Sequence, residues 1–162
     1  GEMIRKSADI LEQFTGTRPR GWLGPGRTQT FETLDQVSAS GYDWFADWIL
    51  DDQPVWVKSA VKPLISIPYS VELNDITIMV SAPHRSDAML ERMRDACMQL
   101  LREGETSVRI MAFGVHPYVS GAAHRIRYFE EMLDFLQEQK GVAFWQGDMI
   151  CDWFEQQRPY LS

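Results

Sequence analysis

The chain has 162 residues and a formal net charge of −7, from 16 basic and 23 acidic side chains. Its 44% hydrophobic and 24% charged content is typical of a globular domain and excludes a disordered, collagen-like or disulfide-stapled chain. Because there is no basic footprint and no apolar run near the ~20 residues of a membrane span, we expect no nucleic-acid and no membrane partner, and a cytoplasmic location.

The first predicted element is a helix over residues 4–14 that ends at Gly16, with an apolar face of Ile4, Ala8, Leu11 and Phe14. The Gly- and Pro-rich stretch RPRGWLGPG, residues 18–26, predicts a short strand through Trp22 and then an irregular loop.

The middle of the chain predicts one helix and three strands. Thr30 is a suitable N-cap, and the apolar spacing after it predicts a helix that ends at Gly41. Alternating residues then predict strands at 42–48, 55–58 and 63–69, the second of them at a sheet edge.

The last part predicts three helices and two strands. The longest helix follows Ser86 and ends at Gly104, another spans 126–136, and the last begins at Asp148. Two nearly continuous apolar runs predict strands buried on both faces, at 109–117 and 142–145. The alternation of helices and strands predicts an α/β fold with a largely parallel sheet.

Polar and aromatic residues gather after the predicted strands, where parallel α/β folds place their sites. His116 closes an apolar strand and is either a general acid or base, or a histidine that hydrogen-bonds nearby backbone. Asp47 could orient a histidine or contact a substrate, although acidic loop clusters are commonly just solvated. We expect substrate contacts from residues of these segments, some of which could instead be core aromatics: Trp22, Trp48, Tyr69, Asn74 and Tyr118.

Four segments together resemble the second half of the polysaccharide deacetylases of the NodB-homology type, which are carbohydrate esterase family 4-like. They are RPRGWLGPG, YDWFADWILDDQPVW, PLISIPYSVELND and GVHPYVSGAAHRIRYFEEML. The resemblance is strongest to the subgroup with metal-independent allantoinases and related peptidoglycan deacetylases. It implies the C-terminal part of a distorted (β/α) barrel, with residues 1–162 as a single domain that lacks its N-terminal part.

The resemblance also bears on whether this chain binds a metal ion. Most family members hold a divalent metal such as Zn²⁺ with one Asp and two His, from an Asp-Asp motif and a His-x-x-x-His motif that are both absent here. We therefore expect no metal and no cofactor within this chain, and a divalent metal only if an N-terminal part supplies it.

The motifs that are present depart from the family pattern. The Asp-x-x-Asp-Trp motif corresponds to residues 43–48 with one extra residue, and Leu-x-His corresponds to 114–116, which keeps His116 and replaces Leu by Gly114. The position of the family's orienting Arg is Leu23, with three substitutes nearby: Arg18, Arg20 and Arg27.

Two hypotheses follow. The first is a hydrolase of carbon–nitrogen bonds in N-acetylated sugars or in ureides such as allantoin, in which His116 protonates the leaving nitrogen with Asp47 as its partner. The isolated chain is then expected to be inactive. The alternative is a non-catalytic half barrel that binds a glycan or ureide. Because half a barrel leaves sheet edges open, we expect a homo-oligomer or docking on a missing N-terminal half.

Overall fold

The computed structural model describes residues 1–82 and 84–157. These residues form two compact units: the first comprises residues 1–68 and 145–157, and the second comprises the described residues of 69–144. Regular elements follow one another in this order: α1 Glu2–Thr15, β1 Gly21–Trp22, α2 Phe31–Ala39, β2 Trp44–Phe45, β3 Val55–Val57, β4 Leu64–Ser66, α3 Ala88–Gly104, α4 Pro117–Ser120, α5 Ile126–Glu138 and α6 Gly147–Gln156.

The first unit contains a four-stranded sheet with the order β1-β2-β4-β3. The strands β1, β2 and β4 are parallel, and β3 pairs antiparallel with β4 at one edge. Trp22 lies beside Phe45, which lies beside Ser66, so the three parallel strands end at one edge of the sheet. The predicted strands of this unit are confirmed, although each is shorter than its sequence pattern.

Helix α1 ends as predicted, because Gly16 adopts the left-handed conformation with φ 76°. Its predicted apolar face is only half correct. Ala8 is fully buried, whereas Leu11 and Phe14 are 47% and 89% exposed. The reason is that α1 packs into the core of its unit through Ala8 and the partly buried Ile4.

The indole of Trp44 joins α6 to the sheet within the first unit. A Cβ atom on Gly21 or Gly147 would lie 2.0 or 2.4 Å from the Trp44 ring, so the ring lies against two positions that only glycine can occupy. The Trp44 Nε1–H donates to Asp148 Oδ1 at 2.6 Å. The sequence predicted that α6 begins at Asp148. Asp148 lies in the first turn of the helix, and its carboxylate accepts the hydrogen bond from this indole.

The second unit has a core between α3 and α5, formed by Met89, Met93, Cys97, Met132 and Leu136 among others. Both helices are confirmed, whereas the two predicted buried strands of the last part are wrong. Among the described residues, the run 109–117 has one bridge, between Gly114 and Asn74, and 142–145 has no strand pairing. Side chains of 109–113 are only half-buried, and Phe144 is 55% exposed. An apolar run becomes a strand only where a neighbour pairs with its backbone.

Candidate functional site

In the second unit, His116 hydrogen-bonds to the fully buried carboxylate of Asp75. The ring Nδ1 of His116 lies 2.6 Å from Asp75 Oδ1, and the main-chain N–H of His116 donates to Asp75 Oδ2 at 2.7 Å. The hydroxyl of Ser120 donates to the same Oδ2, also at 2.7 Å. The side chain of Asp75 has no exposure, whereas that of His116 is 34% exposed.

The contact determines which ring nitrogen of His116 holds the proton. An ionised carboxylate only accepts hydrogen bonds, so at 2.6 Å the imidazole must donate from Nδ1. In the neutral ring the lone pair is then on Nε2, which makes no hydrogen bond with the described residues. Nε2 can therefore accept a proton or, once protonated, deliver one.

Asp75 stays ionised in spite of its burial. Desolvation by burial raises the pKa of Asp75, but the hydrogen bonds from the His116 main chain, the His116 ring and the Ser120 hydroxyl lower it by more. The net effect is a pKa below the ordinary value, so at neutral pH a negative charge lies beside the imidazole ring.

Short local elements bring these groups together. Asp75 lies two residues before a π-helical turn, Thr77–Ser81. Such turns are rare in proteins overall, but many of those known lie at functional sites. His116 is the N-cap of α4, and the Ser120 N–H donates to the His116 carbonyl at 3.0 Å. One helical turn thus places both side chains on the same carboxylate.

Tyr69, Asn74 and Gly114 lie next to this pair in the second unit. Asn74 Nδ2 donates to the Tyr69 hydroxyl at 3.3 Å, and Asn74 Oδ1 accepts from the Ile76 N–H at 3.1 Å. A Cβ on Gly114 would lie 2.4 Å from Asn74 Nδ2 and 2.9 Å from the Tyr69 hydroxyl. A side chain at this position would therefore clash with both residues.

Tyr118 is the most open of the predicted substrate-binding residues. Its side chain is 74% exposed, and its ring lies edge-on to the His116 ring with 5.7 Å between centroids. Tyr69 and Asn74 are only half-exposed and already hydrogen-bond to each other, so of these three residues Tyr118 has the most surface available to a ligand.

In the first unit, Asp47 is buried at the carboxyl end of β2 and holds the loop that follows β1. Asp47 Oδ1 accepts the Gly24 N–H at 2.7 Å. With the Gln29 amide oriented to satisfy both its groups, its nitrogen donates to Asp47 Oδ2 at 3.0 Å and its oxygen accepts from Trp48 Nε1. Burial raises the pKa of Asp47 more than the Gly24 N–H and the charge of Arg27 lower it.

The two tryptophans predicted to bind substrate lie against the core of the first unit. Trp22 contacts Tyr42 edge-on, with centroids 5.6 Å apart. Trp48 contacts Phe31 and Phe45 edge-on at 5.7 and 5.6 Å. Both side chains are half-buried, so only part of either ring is open to a ligand.

Two of the Arg residues considered as orienting groups form ion pairs elsewhere. Arg18 pairs with Asp9 and Glu12, and Arg20 pairs with Asp43 and Asp152. Lys62 adds a second bond to Asp43 at 2.6 Å. Asp43 immediately precedes β2, and Lys62 lies two residues before β4. This charge network therefore lies at the amino ends of the strands, opposite the edge that carries Asp47.

The structure gives His116 a carboxylate partner, Asp75, that differs from the predicted Asp47, and the role of His116 as a general acid or base stays a prediction. Asp75 binds its Nδ1, whereas Asp47 had been expected to do so. Asp75 lies at the end of a polar segment that follows the predicted strand 63–69, and this position was the available signal. The catalytic role of Asp47 stays a prediction.

The described residues do not supply a metal site. Within 1–82 and 84–157, no three His, Cys, Asp or Glu side chains gather as a ligand set. The dyad of Asp75 and His116 offers only two such groups, and both Asp75 oxygens already accept hydrogen bonds. The same described residues include no helix whose length and apolar character suit a bilayer span.

Comparison with known proteins adds independent evidence. No family model matches the chain. A curated protein of Schizosaccharomyces pombe, whose name assigns it to the polysaccharide deacetylases, is 27% identical over 99% of this chain and 56% of its own length. The solved structure of a probable polysaccharide deacetylase from Pseudomonas aeruginosa PAO1 has a TM-score of 0.84 and 25% identity, covering 95% of this chain and 52% of that one.

The solved structure of Puue allantoinase has a TM-score of 0.87 and 26% identity, covering 98% of this chain and 53% of that one. The chain thus spans about half the length of the relatives that it matches. The fold is confirmed as α/β and matches about half of a polysaccharide deacetylase structure, as expected of a partial barrel.

Proposed function

We propose that this chain, whose sequence and structural neighbours all point to the polysaccharide deacetylase family, carries the proton-transfer histidine of a hydrolase that cleaves amide-type carbon–nitrogen bonds. One observation carries the proposal: the 2.6 Å contact between His116 Nδ1 and the fully buried Asp75. A buried carboxylate behind a partly exposed imidazole is the arrangement of an oriented general acid or base.

The chemistry follows from the requirements of the reaction. Water adds to the carbonyl carbon of an amide and loses one proton to a base, and the carbon–nitrogen bond then breaks only if the leaving nitrogen gains a proton from an acid. Protonated His116 can deliver this proton from Nε2 while Nδ1–H stays bonded to Asp75. The charge of Asp75 stabilises the imidazolium before transfer and keeps Nε2 as the reactive atom.

We propose an N-acetylated sugar or a cyclic ureide as the substrate. One neighbour is named as an allantoinase and two as deacetylases, and both reactions release an amide-type nitrogen. Tyr118 supports this choice, because an exposed ring beside the reactive imidazole can stack on a sugar or ureide face. Trp22, Trp48, Tyr69 and Asn74 are further proposed contacts.

The test uses the longest natural chain that contains these residues, assayed on N-acetylglucosamine oligomers and on allantoin. We expect His116→Ala to lower turnover by roughly 10²–10⁴-fold, as is typical for the loss of a general acid or base, with the melting temperature little changed. His124→Ala is the matched control, because His124 is an exposed histidine of the same unit.

The alternative function, a glycan- or ureide-binding module without catalysis, predicts another outcome. Ligand would then quench tryptophan fluorescence with neither substrate hydrolysed, and His116→Ala would leave affinity unchanged while lowering the melting temperature. That combination would remove His116 from the reaction.

A further inference from the structure

We infer that Ser120 is a positioning residue whose hydroxyl holds the Asp75 carboxylate in the orientation that presents Oδ1 to His116 Nδ1. The inference rests on the proposed role of His116 in proton transfer and assigns a function to a buried serine outside the motif residues. It concerns how the imidazole is held, and its test needs no substrate.

The geometry divides the two oxygens of Asp75 between different donors. Oδ2 accepts the His116 main-chain N–H and the Ser120 hydroxyl, both at 2.7 Å, whereas Oδ1 accepts only the His116 ring at 2.6 Å. A carboxylate can turn about its Cβ–Cγ bond, and turning exchanges its oxygens. Two donors fixed on Oδ2 oppose this rotation and reserve Oδ1 for the ring.

Burial makes the hydroxyl hard to replace. Asp75 is 0% exposed and Ser120 is 2% exposed, so bulk solvent does not reach their contact. The groups that act on the charge of Asp75 are His116, through its main chain and its ring, and Ser120. Losing the hydroxyl would therefore leave Oδ2 with one donor in a desolvated site, which weakens the ionised form and loosens its orientation.

The position of Ser120 in α4 couples it directly to the histidine. The Ser120 N–H donates to the His116 carbonyl at 3.0 Å, as expected for residues one helical turn apart. The Ser120 hydroxyl and the His116 ring thus approach Asp75 from one rigid turn that begins with Pro117. Movement of this turn would shift both donors together.

The experiment compares Ser120→Ala with Ser120→Thr and a control in the full chain. Thr keeps the hydroxyl, and Ser120 lines a small cavity together with Met79 and Met132. Ser38→Ala is the matched control. Ser38 is also 2% exposed and its hydroxyl donates to the Lys62 carbonyl at 2.9 Å, but it lies in the other unit.

Two NMR measurements give the result. Long-range ¹⁵N–¹H spectra of histidine-labelled chain report which ring nitrogen of His116 is protonated, with the signal assigned by its absence in His116→Gln. The ¹³C titration of the side-chain carboxyl groups reports the pKa of Asp75, assigned with Asp75→Asn.

We expect the wild type, Ser120→Thr and Ser38→Ala to hold the proton of the neutral ring on Nδ1. In Ser120→Ala we expect a mixture of both tautomers and a titration of the Asp75 carboxyl group at higher pH than in the wild type. If Ser120→Ala keeps the wild-type tautomer and the wild-type Asp75 titration, Ser120 is merely structural and the inference is wrong. If the NMR changes occur but no variant hydrolyses either substrate, the positioning stands and the proposed function fails.

Discussion

Asp75 holds His116 at two points, accepting the main-chain N–H on Oδ2 at 2.7 Å and the ring Nδ1–H on Oδ1 at 2.6 Å. The two residues are 41 positions apart in the sequence, and a backbone bridge between Asn74 and Gly114 brings their two segments together. This bridge brings a buried carboxylate and a half-exposed imidazole together, and several predictions about the molecule depend on it.

Replacement of Asp75 by Asn should change how stability depends on pH. The pKa of Asp75 in the folded chain lies below its ordinary value of 3.8. The unfolded chain therefore takes up the proton first as pH falls, so the stabilisation is complete above about pH 5 and is lost as pH falls through the folded pKa. Asp75→Asn should lose roughly 2–3 kcal/mol at pH 7, because buried donors face an amide nitrogen.

Urea unfolding between pH 3 and pH 7 measures this effect. The acid-side slope of the unfolding free energy should be smaller in Asp75→Asn than in the wild type. An unchanged slope would show that Asp75 has an ordinary pKa in the folded chain.

Replacement of Asp47 by Asn should change the pH dependence of stability in the opposite direction. Burial raises the folded pKa of Asp47 above 3.8, so the folded chain keeps its proton at a pH where the unfolded chain has lost it. Protonated Asp47 therefore stabilises the folded wild type at low pH, and this stabilisation is lost as pH rises through the folded pKa of Asp47. Asp47→Asn should lose less stability at pH 7 than Asp75→Asn, because the Asn oxygen can still accept the Gly24 N–H and only the Gln29 amide then faces the new nitrogen. Thermal melts at pH 4 and pH 7 test this, and a large loss confined to pH 7 would contradict it.

A methyl group at Gly114 should disturb the bridge beside the dyad. Its Cβ would lie 2.4 Å from Asn74 Nδ2, and the crowding should cost about 1–3 kcal/mol. Gly104→Ala is the control, since a Cβ there meets nothing within 4 Å and the helix end should be unaffected or slightly more stable. Equal stability of both variants in urea titrations would show that Asn74 moves aside freely.

Removal of the Tyr118 ring should affect substrate more than stability. The side chain is 74% exposed, so Tyr118→Ala should keep the melting temperature while raising KM by roughly 2–10-fold through lost stacking. Tyr118→Phe keeps the ring and should restore KM. A fall in kcat at constant KM would instead indicate that the ring acts on His116, which it contacts edge-on.

Neither cysteine should react in the folded chain. Cys97 and Cys151 are 3% and 0% exposed, and burial raises the pKa of Cys151 to about 11. Because only the thiolate is nucleophilic, a disulfide reagent at pH 8 should titrate both thiols in urea and neither in native buffer. Rapid stoichiometric reaction of the native chain would show that its packing opens.

The amino-acid sequence by itself determined most of the helices. Their apolar spacing and terminal signals, such as Gly16 after α1 and Thr30 before α2, act within a few residues and leave a local trace. Strands depend on remote partners, which is why 109–117 has the composition of a buried strand but only one bridge. The exposure of Phe14 has the same cause, because spacing shows that a helix has an apolar face but not what covers it.

The residues of the candidate site likewise fall into those that a local sequence signal indicates and those that only the fold brings together. His116 could be proposed from the sequence as a candidate, because an imidazole at the end of an apolar run before a proline is a local signal. Only the tertiary structure decided that Asp75 is its partner, that Ser120 completes the contact, and that Asp47 holds a loop instead. A hydrogen bond between residues 41 positions apart depends on backbone pairing and burial, and these are properties of the folded chain that no local pattern encodes.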